Sequence, residues 1–227
     1  MHRKDRVKMK KKIIYAILIC IIIAGIVIIP TIGLKADLMY SKNVEIDVYL
    51  GKSFSMSDME QVVGEVFPGE KTIIQEIELF GDMAAITIPD TRSDEELNSK
   101  VEELNTKINE KFELENEVDD LTVTHNPKVK LSSLVMPYLW VIGISVVIIL
   151  VFAAIRYRKL GVVKMLLTYI FSIAGVQLLL LSIIAITRFP VNRAVIPVGL
   201  LLYVATVTVL GIKNEKKLTD ATAEEEK

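Results

Sequence analysis

The sequence predicts an α+β membrane protein: four transmembrane helices with a small βαββαβ domain between spans one and two. Three observations carry this expectation. Mean hydropathy is +0.44 although 24% of the 227 residues are charged, so apolar and charged residues are segregated along the chain. Four stretches, 13–34, 131–155, 165–187 and 194–212, contain no charged residue over 22, 25, 23 and 19 positions. The interval 35–133 is soluble in composition, with 22 acidic and 10 basic residues and a formal charge of −12.

Crossing a ~30 Å hydrocarbon layer takes about 20 residues of helix, and backbone in lipid must satisfy its own hydrogen bonds, so each uncharged stretch reads as a helix. The expected organisation is a basic tail (1–12), span one (13–34), the domain (35–133), span two (134–155) and a loop (156–164). Span three (165–187), a second loop (188–193), span four (194–212) and a polar tail (213–227) follow. The first stretch exceeds a signal-peptide core of about 7 to 15 residues and no Ala-x-Ala site follows it before Lys35, so it reads as an uncleaved anchor. The tail "LTDATAEEEK" reads as flexible.

Orientation follows from lysine and arginine. Arg3, Lys4, Arg6, Lys8 and Lys10–Lys12 precede span one, Arg156, Arg158, Lys159 and Lys164 lie between spans two and three, and Lys213, Lys216 and Lys217 follow span four. Threaded in order, all three groups fall on one side, which the positive-inside rule makes cytoplasmic. Both termini are then inside, in a bacterial inner membrane, and the domain is extracytoplasmic. Arg188 and Arg193 fall in the outer headgroup region, with Pro190 and Pro197 at helix ends. Tyr138 and Trp140 fit either an interfacial belt or ordinary packing.

Within the domain, Val44, Ile46, Val48 and Leu50 alternate with polar residues, the period of a half-buried strand. A helix follows, with Ser57 and Glu60 spaced as a capping box and Met59, Val62, Val63, Val66 and Phe67 on one face. "TIIQEIELF" and "MAAITIP" form a hairpin joined at Gly81-Asp82. Ser93 and Glu96 cap a second helix whose apolar face is Leu97, Val101, Leu104, Ile108 and Phe112. "LTVTH" supplies a last strand. This order implies a ferredoxin-like split βαβ arrangement, with both helices on one face of an antiparallel sheet.

The residue chemistry gives no sign of an enzyme, a metal site or a cofactor. Cys20 is alone within span one, and His2 and His125 have no cluster around them. No phosphate-binding loop, nucleophile elbow or zincin motif occurs. The acidic domain repels nucleic acid and anionic surfaces, and its charge reads as a solvated face before it reads as a docking site for basic partners. All four spans lack Asp, Glu, His, Lys and Arg, so none offers the carboxylate or histidine that proton-driven transport generally uses. Gln177 is the strongest polar group at membrane depth and reads as a helix-to-helix contact, with Thr168, Ser172, Thr206 and Thr208 in similar roles. Gly143 and Gly175 are candidates for close helix approach.

At "ITRFPVN", with the later "LLLYVATVTVL", the chain resembles the SecF family of protein-export membrane proteins, auxiliary subunits of the Sec translocon. That family carries a similar Arg-x-Pro-Val-Asn stretch before its fourth span. "NPKV" and "AIRYRKLG" around span two are similar to its Gly-Pro-x-Val and aromatic-plus-arginine loop. The matched positions are Arg156, Arg188, Pro190, Val191 and Asn192. The family is expected to have six spans, a His-Asp pair in the third, and Gly-Tyr-Ser-x-Asn-Asp and Asp-Arg signatures near the fourth, and none of these occurs here. The resemblance implies a shortened accessory that works with a SecD-like subunit or the translocon and contacts the translocating polypeptide, its ion-coupling groups absent or supplied by the partner. In topology the chain also resembles the FtsX cell-division permeases, which relay a signal from a cytoplasmic ATPase to an outer partner. A membrane-anchored assembly or sensor module related to neither is the third reading.

Overall fold

The structure, a computed structural model, describes residues 3–77 and 82–225. In chain order its elements are α1 (Arg3–Ile32), β1 (Asn43–Tyr49), α2 (Met56–Val66), β2 (Ile73–Glu76) and β3 (Met83–Pro89). After these come α3 (Asp94–Phe112), β4 (Thr122–Asn126), α4 (Leu131–Arg156), α5 (Val162–Thr187) and α6 (Val195–Glu225). They divide into a domain, Ala36–Lys130, and a helical unit built from the segments on either side of it.

In the domain the period-two pattern of β1 has the consequence expected of it. Val44, Ile46 and Val48 pair with Ile88, Ile86 and Ala84 of β3, and Ile46 pairs on its other side with Val123 of β4. The four strands are antiparallel in the order β2-β3-β1-β4. Met59, Val62, Val63 and Val66 of α2 enter the same buried cluster as Leu97, Val101, Leu104 and Ile108 of α3 and the inward residues of the sheet. Both helices therefore cover one face of the sheet, and Glu45, Asp47 and Tyr49 alternate onto the other.

Helix starts depart from expectation at one place. The N-cap of α2 is Ser55, and Ser57 lies inside the first turn, so the Ser57–Glu60 capping box does not form. The physical reason is apolar: Phe54 and Met59 then occupy the positions of a hydrophobic staple, and both pack in the domain core. At α3 the Ser93 hydroxyl accepts a hydrogen bond from the Glu96 amide at 3.3 Å, as its spacing predicts. Gly81 of the expected hairpin turn lies outside the described residues, as does His2. The Ile77 amide donates to the Met83 carbonyl at 2.9 Å and extends the β2–β3 pairing towards that turn.

Among the described residues, four helices are long and apolar enough to cross a membrane, over Lys12–Ile32, Leu131–Arg156, Val162–Thr187 and Val195–Glu224, which makes the chain a multi-pass membrane protein. Two end segments expected as tails are helical. α1 already begins at Arg3, and α6 continues through Glu225. For α6 the reason is a face that does not stop at the last apolar run: Val207, Leu210, Asn214 and Leu218 recur at helical spacing. Leu210 and Asn214 are buried, and Val207 and Leu218 pack against the cluster of Ala153, Tyr157, Met165 and Tyr169.

Candidate functional site

Three places in the helical unit hold its polar contacts, and the first lies where α1 and α5 end. Gly33, at φ +75°, follows α1 and its amide closes on the Ile29 carbonyl at 3.0 Å, a left-handed cap that glycine adopts without penalty. α5 ends the same way on Arg188, at φ +55°, and the Phe189 amide reaches back to the Ile184 carbonyl at 3.2 Å. The Arg188 guanidinium donates to the Gly33 carbonyl at 2.6 Å. The Val191 amide donates to the Lys35 carbonyl at 2.7 Å, and Val191 is buried. The 188–193 connection is therefore bonded to the segment that follows span one.

An arginine suits this position for an electrostatic reason. Residues 22 and 25 of α1 and Gly33 just after it meet residue 182 of α5 and Arg188 just after it in ascending order, so the two helices run parallel and present their C-terminal carbonyls at the same end. A cation placed there interacts favourably with both helix dipoles, at about 0.3–1 kcal/mol per terminus. Pro190 has no amide hydrogen with which to continue α5, and the Asn192 side-chain oxygen accepts from the Ala194 amide at 3.0 Å just before α6.

The second place is the α1–α5 crossing. A Cβ at Gly25 would stand 2.3 Å from Ser182 Cβ and 2.5 Å from Ser182 Cα, so the backbones approach as closely as only glycine allows. The Ser182 hydroxyl bonds its own helix at the Leu178 carbonyl, 2.7 Å away, and lies 3.5 Å from the Ile22 carbonyl of α1. Gly143 and Gly175, expected in this role, face open space. Gly25 lay hidden in the sequence because nothing in "IIIAGIVII" distinguishes a packed face from a lipid-facing one.

The third place lies among α4, α5 and α6. Gln177 donates from Nε2 to the Gly199 carbonyl of α6 at 3.0 Å, and Ser145 of α4 pairs with the Tyr203 hydroxyl of α6 at 2.9 Å. The threonines behave otherwise: Thr168, Thr206 and Thr208 each bond the carbonyl four residues back on their own helix. Gln177, Gly199 and Tyr203 border a groove of about 310 Å³ whose other walls are aliphatic and aromatic.

Arg156 stands apart from the other matched positions, at the last residue of α4. It makes a two-pronged ion pair with Glu215 of α6 at 2.9 and 3.1 Å. Glu215 was missed because it lies in the 213–227 stretch, read as a tail beyond span four. The structure thus brings Arg188, Val191 and Asn192 into one connection and leaves Gln177 and Arg156 at separate contacts. In the domain, His125 lies 3.3 Å from the Asp90 carboxylate, and the described residues contain no group of three or more His, Cys, Asp or Glu able to hold a metal ion. No protein-family model matches the chain, and no curated protein is significantly similar to it.

Proposed function

We propose that this chain is a SecF-like integral membrane accessory of Sec-dependent protein translocation, without proton-conducting residues of its own. The domain adopts a ferredoxin-like fold on the extracytoplasmic side and offers binding surface to emerging chains or to a SecD-like subunit. The strand order β2-β3-β1-β4 with two helices on one face supports the fold assignment. The clustering of lysine and arginine in the first turns of α1 and at the facing ends of the other three membrane helices supports an orientation with both termini in the cytoplasm of a bacterial cell.

The observation that carries the reading is the bonding of Arg188 and Val191 to Gly33 and Lys35. In sequence this Arg-x-Pro-Val-Asn stretch is the family-like motif. In geometry it fastens spans three and four to the end of span one, where the domain begins. Such a fastening couples the domain's attachment point to the rest of the helical unit, which is what an accessory that responds to a passing polypeptide requires. Co-purification in mild detergent tests the proposal: translocon components or a SecD-like subunit should be recovered, and a cytoplasmic ATPase would favour the FtsX-like reading instead. If deletion of residues 40–125 leaves both partner recovery and export unchanged, the proposal is wrong.

A further inference from the structure

The groove among α4, α5 and α6 is lined mostly by aliphatic side chains. Its floor is Ile142, Ile173, Leu180 and the buried Tyr203, and its lips are Leu139 and Leu181, 51 and 37% exposed. Of its three side chains with polar groups, Tyr138, Gln177 and Tyr203, the two on α5 and α6 are engaged: Gln177 Nε2 donates to the Gly199 carbonyl, and the Tyr203 hydroxyl pairs with Ser145. An aliphatic occupant therefore breaks neither of those two hydrogen bonds on entering. An extended hydrocarbon chain is far narrower than an α-helix, which is ~10 Å across, and suits a groove of about 310 Å³.

The headgroup end is set by charge. Val195 and Ile196 line the groove at the start of α6, two residues beyond Arg193. The Val191–Lys35 hydrogen bond brings Lys35 to the same connection. Among the described residues Lys35 and Arg193 carry no ion pair, while Arg188 is engaged by the Gly33 carbonyl. Among the described residues the carboxylates of the helical unit are Asp5, Glu215, Asp220, Glu224 and Glu225, all towards the opposite helix ends. From this arrangement we infer that the groove is a binding site for one acyl chain of an anionic phospholipid, whose phosphate is held by Arg193 and Lys35. The inference goes beyond the translocation reading and does not depend on it.

The test uses full-length protein in mild detergent, titrated with phosphatidylglycerol and separately with phosphatidylcholine of the same acyl chains, with bound lipid counted by native mass spectrometry. One phosphatidylglycerol should be retained in preference to phosphatidylcholine. Arg193→Gln and Lys35→Gln should each weaken phosphatidylglycerol about fivefold, as expected for about 1 kcal/mol per cation near a headgroup, and weaken phosphatidylcholine less, because its choline already offsets the phosphate charge. Gly199→Phe, which fills the floor, should weaken both lipids tenfold or more. Leu139→Trp narrows the exposed lip without touching the Gln177 contact and should act in the same direction, so a folding defect in the first variant does not decide the matter. Equal retention of the two lipids by wild type, or unchanged retention in Leu139→Trp, overturns the inference. So does a lipid-free dimer that Leu139→Trp dissociates, because the groove would then hold a protein helix.

Discussion

Ile46, Ile86 and Leu104 of the domain are 0% exposed, whereas Trp140, Phe171 and Leu201 of the helical unit are 80, 71 and 71% exposed. The same classes of side chain are turned inward in one unit and outward in the other. In the domain water supplies the driving force, and every inward position of β1, α2 and α3 converges on one cluster. In the helical unit a lipid-facing leucine is already in an apolar solvent, so association must come from close backbone approach and the few polar contacts. The contrast teaches where each unit is vulnerable: the domain at its large buried side chains, the helical unit at Gly25 and at Gln177.

The largest effect expected is in the domain. Ile46→Ala removes a fully buried side chain between Ile86 and Val123 and should cost about 2–5 kcal/mol, read as a loss of hydrogen-exchange protection across the sheet. Ile144→Ala in α4, at a position 60% exposed, should stay within about 0.5 kcal/mol by the same measure. Equal effects at the two positions would erase the comparison.

Gly25→Ala comes next. Its Cβ meets the Ser182 backbone, which cannot rotate away, so α1 must shift, at about 1–3 kcal/mol. Thermal aggregation in detergent should show the loss. Ser182→Gly in the same chain removes the hydroxyl and Cβ that stand nearest and should recover part of it. No recovery would mean that the crossing is not where α1 is held.

Gln177→Leu is smaller, about 0.6–2 kcal/mol, because the Gly199 carbonyl it leaves is already bonded or bondable within α6. Its effect should be absent in the domain's exchange pattern.

What the sequence made legible follows the same division. The order of elements, the strand alternation of β1 and the apolar faces of α2 and α3 were readable because water imposes a period on them. Gln177 was readable because a lone amide at membrane depth needs a partner. Its partner was not, since the donor reaches a backbone carbonyl that every residue possesses. The Gly25 crossing and the self-bonded threonines were illegible for a related reason: in lipid, small and polar residues choose between their own helix and a neighbour by geometry alone. Helix continuation to Glu225 was illegible from charge composition alone, because only the spacing of Leu218 from Leu210 and Asn214 prolongs the packed face of α6.

The smallest effects separate by pH, and they sharpen the comparison because titratable carboxylates are confined to the domain and the helix ends. Lys42, at 2.9 Å, and His125 hold the Asp90 carboxyl below its ordinary value of 3.8. A depressed carboxylate stabilises the fold above its unfolded value, and that contribution is lost as pH falls through the lower folded value. Asp47 is the opposite case: burial first, then the neighbouring Glu45, push its carboxyl up from 3.8, and its Oδ1 is buried without a hydrogen-bond partner. A raised carboxylate penalises the fold at neutral pH, and the penalty fades as pH falls through the folded value and the group protonates. Asp90→Asn should therefore lower, and Asp47→Asn raise, the domain's protection against hydrogen exchange at pH 7. Both differences should shrink as pH falls: that of Asp47→Asn from above 3.8 downwards, that of Asp90→Asn only below 3.8. If the two substitutions moved stability in the same direction at pH 7, the assignment of one carboxylate to an ion pair and the other to a desolvated strand position would be wrong.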